Sequence, residues 1–126
     1  MSTPHQQAEA QLTAYALTLP ETDVATGWAR WLRVTGKTFA VFGAKEDRDD
    51  ALTITLKLPI SFEMIQDLPF VRESRGWHLQ HKWAIVHFAA DDDILAEIPT
   101  LEGWLRQSYR AMAPKRLGRL VEEPRG

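Results

Sequence analysis

The chain has 126 residues, 44% of them apolar, with 15 Lys and Arg against 17 Asp and Glu and no cysteine. A single domain of that size buries roughly two thirds of its unfolded surface and needs no disulfide or structural metal; the missing cysteines exclude thiol catalysis, iron–sulfur clusters and cysteine zinc sites. The near-neutral balance removes a domain-wide basic excess as an argument for nucleic acid. With no apolar run near the roughly 18 residues of a membrane span and no leader pattern, the chain reads as cytoplasmic with no membrane partner.

Thr3 and Pro4 read as the N-cap and first residue of a helix whose Leu12, Tyr15, Ala16 and Leu19 recur at helical spacing until Pro20 stops it. β-rich runs follow at Trp28–Val34 and Lys37–Phe42, joined through Thr35-Gly36, where Gly36 supplies the positive φ of a tight hairpin. After the charged loop Lys45–Asp50, strict alternation over Leu52–Leu58 predicts a strand with Thr53, Thr55 and Lys57 facing away from the core.

Pro59 opens a predicted short helix with Phe62, Ile65 and Leu68 inward, and Pro69 returns the chain to extended structure through Phe70, Val71 and Arg72. Trp77–Gln80 and Trp83–Phe88 then read as two strands of a second hairpin, with Gly76 turning into the first. Asp91, Asp92 and Asp93 suit a helix N-terminus. A longer helix restarts near Pro99, with Leu101, Leu105, Ser108, Tyr109 and Met112 along one face, and Pro114 closes it. Lys115–Leu120 adds a last short helix, and residues 121–126 form a tail. Short connections favour antiparallel pairing, so the expected fold is one α+β domain over residues 1–126. Its antiparallel sheet of two hairpin units packs with N-terminal, middle and C-terminal helices.

Enzymatic signatures are sparse. The glycines form neither a dinucleotide-binding nor a phosphate-cradling loop, and no serine sits in a nucleophile elbow. His78, His81 and His87 with the Asp91–Asp93 run are adequate ligand types for zinc or iron, but positions 78 and 81 of a strand point to opposite faces. The residue pattern therefore points to no metal, no cofactor and no catalytic residue. Charge placement says more: Trp104–Leu120 holds Arg106, Arg110, Lys115, Arg116 and Arg119 with no acid, and Arg72, Arg75 and Lys82 surround the second hairpin with Trp77 and Trp83. Cations interleaved with aromatics serve phosphates and stacked bases.

Gly76-Trp77-His78-Leu79-Gln80 followed by Lys82-Trp83, and Ser108-Tyr109 with Ala113-Pro114-Lys115-Arg116, resemble signatures of the MmcQ/YjbR family. Leu17–Glu21, Arg33–Ala40 and Leu56–Pro59 resemble its first helix end, first hairpin and central strand in the same order, although Ala84-Ile85 stands where the family often has Asn-Thr. The resemblance implies a compact frataxin-like (CyaY-like) or "double wing" fold and a DNA-binding label that rests on fold analogy. It supplies no catalytic residue.

The expected function is thus a small non-enzymatic DNA-binding domain that meets DNA with the open sheet face or with a wing at Trp77–Trp83. Arg72, Arg75, Lys82, Lys115 and Arg116 would neutralise phosphates, and His78 and Gln80 would reach sugar or base edges. Lys37 and Lys57 are second-rank contacts. The alternative is a protein-interaction or small-ligand module in which the tryptophans line a groove.

Overall fold

The computed structural model describes residues 2–121. Helix α1 (Pro4–Ala16) starts in a capping box: the Thr3 hydroxyl accepts from the Gln6 N–H and the Gln6 side chain accepts from the Thr3 N–H. Its buried stripe is His5, Ala8, Leu12 and Ala16. Tyr15, expected on that stripe, is only half-buried, and its hydroxyl accepts from Arg106 Nη1 at 2.7 Å.

Among the described residues, six strands form one antiparallel sheet: β1 (Thr22–Thr26), β2 (Arg30–Val34), β3 (Lys37–Phe42), β4 (Leu52–Lys57), β5 (Val71–Arg72) and β6 (Trp83–Phe88), in the order β1-β2-β3-β4-β6-β5. β1 escaped the sequence reading because Val24 is its only large apolar residue and it lies at an edge, where one flank needs no partner. β2 begins at Arg30 rather than Trp28, since a tight turn with Gly27 N–H donating to Ala29 O occupies the preceding residues. The β2–β3 turn has Thr35 at φ 48° and Gly36 at φ 84°, two left-handed residues that match the twist of a hairpin.

Two expected elements are corrected. Residues 59–70 form successive turns rather than a helix, with bonds such as Phe62 N–H to Leu58 O and Leu68 N–H to Ile65 O, while Gln107 Oε1 captures the Ile60 and Ser61 N–H groups. Phe62 and Ile65 still point into the core. Trp77–Gln80 is not a strand but a single helical turn, α2, closed by Gln80 N–H to Gly76 O and His81 N–H to Trp77 O. Gly76 (φ 56°) and Lys82 (φ 58°) bend the chain into and out of it, so the second strand beside β6 is β5. The Trp77–Trp83 wing does not form.

A short 3₁₀ helix (Ile94–Glu97), capped by Asp93, leads into α3 (Ile98–Met112) and then α4 (Lys115–Gly118). The predicted stripe holds: Leu101, Leu105, Ser108 and Tyr109 are buried against the sheet, and Met112 is partly buried. Val121, assigned to the tail, instead packs in the core, where its carbonyl accepts from Arg110 Nη1; residues 122–126 lie outside the described part. α1 and α3 cover one face of the sheet. The other face carries Trp31, Val41, Thr55, Ile85 and Arg72 in one row across paired strands.

Candidate nucleic-acid interface

The strand pairing sorts the charges by position. At one end of the sheet β1 begins, β2 turns into β3, β4 leaves and β6 begins, as the pairs Thr22–Val34, Val34–Lys37 and Lys57–Trp83 show. Lys37, Lys57 and Lys82 therefore lie at this rim, with Arg72 two residues along from it and Arg75 in the connection from β5 to α2. α3 brings its C-terminal half to the same end, because Ser108 contacts Phe39 and Lys57 and Gln107 contacts Ile60 and Ser61. Lys115 and Arg119 share a cavity wall with Pro59 and Ile60, and Arg116 reaches Glu21 ahead of β1. At the opposite end lie the β3–β4 loop, with Glu46, Asp47, Asp49 and Asp50 against Lys45 and Arg48, and the exit from β6, with Asp91, Asp92 and Asp93.

Acids at the cationic rim are neutralised in place, and Asp23, one residue in from it, pairs with Arg33 at 2.8 Å. Glu21 takes two bonds from Arg116, at 2.7 and 3.3 Å, and the guanidinium holds its carboxyl below the usual range; the same contact raises Arg116. Glu73 pairs with Arg75 at 2.9 Å, raising the arginine, and Glu63 pairs with Lys82 at 3.3 Å. These pairs are exposed and contribute little to stability. They leave Lys37, Lys57, Arg72, Lys115 and Arg119 without an ion pair among the described residues.

Of the expected contact residues, Arg72, Arg75 and Lys82 stand with α2 on the β5–β6 side of the rim, whereas Lys115 stands beside Pro59 and Ile60 at the exit of β4 and Arg116 reaches towards β1. His78 and Gln80 ride on α2 instead of a strand. Trp77 is 57% exposed and stacks on Trp83, which is 7% exposed, with centroids 5.8 Å apart and planes at 25°. His81 lies 5.0 Å from the Trp77 ring and His78 meets it edge-on at 5.4 Å. By strand alternation Trp83 belongs to the open face, so α2 covers one corner of that face and presents Trp77 outward. The tryptophans are thus neither a fully buried pair nor a groove.

His87 is remote from His78 and His81. Its Nδ1 lies 2.9 Å from the Thr53 hydroxyl, which donates to Asp47 Oδ1 at 3.0 Å, while Asp47 Oδ2 accepts the Thr53 N–H at 2.7 Å. Among the described residues no group of three or more His, Asp or Glu is placed to hold a metal ion. No described helix is long and apolar enough to cross a membrane. Arg106 and Arg110, part of the basic block in the sequence, are engaged with the Tyr15 hydroxyl and with the carbonyls of Gly118 and Val121.

No family model matches this chain, and no curated protein matches it. The rim and its charges are the ground for a functional reading.

Proposed function

We propose that the protein is a small, cytoplasmic, non-enzymatic DNA-binding domain of the MmcQ/YjbR type, with the cationic rim and Trp77 as its interface. The observation that carries this reading is the segregation of charge. Lys37, Lys57, Arg72 and Lys115 carry free positive charge at an end where Glu21, Glu63 and Glu73 are already paired, and the acidic loops lie at the far end. Phosphates respond to such local potential rather than to net charge. The family reading is supported by the collinear short motifs and by an α+β antiparallel architecture of the kind they imply. With the wing absent, DNA would meet the rim and the adjoining open face, with Trp77 against a sugar or an unstacked base.

The test is a fluorescence-anisotropy titration with random-sequence duplex and single-stranded DNA at two salt concentrations. Four phosphate contacts predict a duplex slope of about −3.6 in log K against log salt, or a loss of about 150-fold between 50 and 200 mM. K57A/R72A should bring the slope to about −1.8. Absence of binding at low salt, or a slope unchanged in K57A/R72A, overturns the reading. It would then favour the interaction-module alternative, since Ile60, Met64, Trp77 and Leu79 are exposed apolar side chains around the same end.

A further inference from the structure

A cavity of about 380 Å³ opens between the Pro59–Ile60 turn and the junction of α3 with α4. Among the described residues its walls hold the cations Arg110, Lys115 and Arg119, no acid, and an apolar side of Pro59, Ile60 and Ala111 beside Gln107. Gln107 is spent, because its amide oxygen accepts from the Ile60 and Ser61 N–H groups and its nitrogen donates to Ser61 Oγ. Arg110 is different. Its Nη1 donates to the carbonyls of Gly118 and Val121, which fixes the guanidinium, while Nε and Nη2 have no protein partner among the described residues. Lys115 and Arg119, four residues apart, add two like charges, an arrangement that raises the local potential until an anion offsets it.

We propose that this cavity binds a phosphomonoester, with the phosphate dianion against Arg110, Lys115 and Arg119 and the organic group against Pro59, Ile60 and Ala111. A planar guanidinium already held on one side presents its remaining donors in a fork that matches phosphate oxygens. The volume falls in the range of small-ligand sites, roughly 300–1,000 Å³. A terminal phosphate on a nucleic-acid strand and a free phosphorylated small molecule share this chemistry. The site stands whether or not the rim binds internal DNA phosphates.

The test is calorimetric titration of the full chain with phenyl phosphate, with benzenesulfonate as the ring-matched monoanion. The expected result is saturable binding of phenyl phosphate with a Kd of about 0.1–1 mM, at least about tenfold tighter than benzenesulfonate. Affinity should rise with pH through the second phosphate ionisation near about pH 6, where the ligand gains its second negative charge. K115E/R119E should lose binding at least about tenfold, whereas K45E/R48E in the loop at the far end should not. Both substituted pairs are exposed, and an unchanged melting temperature verifies the fold. At about 200 mM salt, where internal phosphates bind weakly, a 5′-phosphorylated oligonucleotide that competes more strongly than its 5′-hydroxyl counterpart identifies a strand end as the source; equal or no competition favours a free phosphorylated molecule. No saturation by about 10 mM phenyl phosphate, equal affinity for the sulfonate, or full binding by K115E/R119E overturns the proposal.

Discussion

Ser108→Ala removes one oxygen and should cost more than its size suggests. Leu32 pairs with Ala40 and Arg33 with Thr38, so Phe39 is an extra residue on β3 that turns into the core, its ring edge-on to Tyr109 at 5.6 Å. The bulge takes the Phe39 carbonyl out of the ladder just where β3 and β4 stop pairing at Ala40–Leu56. Ser108, fully buried on α3, fills the gap: its hydroxyl donates to Phe39 O and accepts the Lys57 N–H at 2.9 Å. Alanine leaves the Lys57 N–H donor and the Phe39 carbonyl acceptor without this partner, at about 1–3 kcal/mol each. A loss of about 2–6 kcal/mol follows, against a total of about 5–15 for a domain. Urea denaturation should show a lower midpoint at constant slope, and the Lys57 amide should exchange faster with deuterium while the β4–β6 ladder stays protected. A variant within about 0.5 kcal/mol of the parent, with Lys57 still protected, refutes the bridge.

Tyr109 donates its hydroxyl to Pro20 O at 2.7 Å, and burial, aided by the Glu21 carboxylate, raises its pKa. A folded value above the unfolded one means that this contribution is complete below about pH 10 and is lost as pH rises through the raised value. Ultraviolet titration should therefore show a delayed tyrosine phase that Y109F removes, with a cost near about 1 kcal/mol at neutral pH. Glu21 has the opposite sign, because Arg116 lowers its pKa. R116Q should return the Glu21 carboxyl to the ordinary range in an NMR titration. Any stability difference from the parent should be present at pH 6 and vanish as pH falls below the ordinary glutamate range through the lowered value.

The elements legible in sequence are those whose local pattern and tertiary role agree. β4 alternates because one face meets α3 and the other is open, and the α3 stripe is apolar because it covers that sheet. β1 has too little apolar content to announce itself. Trp77-His78-Leu79-Gln80 alternates like a strand yet coils, since two left-handed residues at its borders decide its path. At the candidate site the cations are visible as residue types. Their pairing is not, because Arg116 meets Glu21 across 95 positions and Lys82 meets Glu63 through the fold of residues 59–70. The structural work of Gln107 and Ser108 is equally hidden, since a buried amide and hydroxyl have no periodic signature.

Segregation of charge also settles when the acidic end of the molecule matters. β4 has six residues, so the two ends of the sheet lie about 20 Å apart at about 3.3 Å per residue. Across that distance in water one acid opposes one phosphate by about 0.2 kcal/mol, and two acids oppose four phosphates by about 1.6 kcal/mol before screening. At 10 mM salt, with a screening length of about 30 Å, about half of that survives; at 150 mM, with about 8 Å, less than a tenth does. On the proposed DNA interface, D49N/D50N, in the exposed β3–β4 loop, should therefore tighten binding about fourfold at 10 mM salt and less than about 1.3-fold at 150 mM. A similar gain at both concentrations would place the phosphates near that loop and contradict an interface at the opposite rim. A gain confined to low salt is the signature of DNA held at the lysine-bearing end, with the carboxylates of the far loop reaching it only through long-range repulsion.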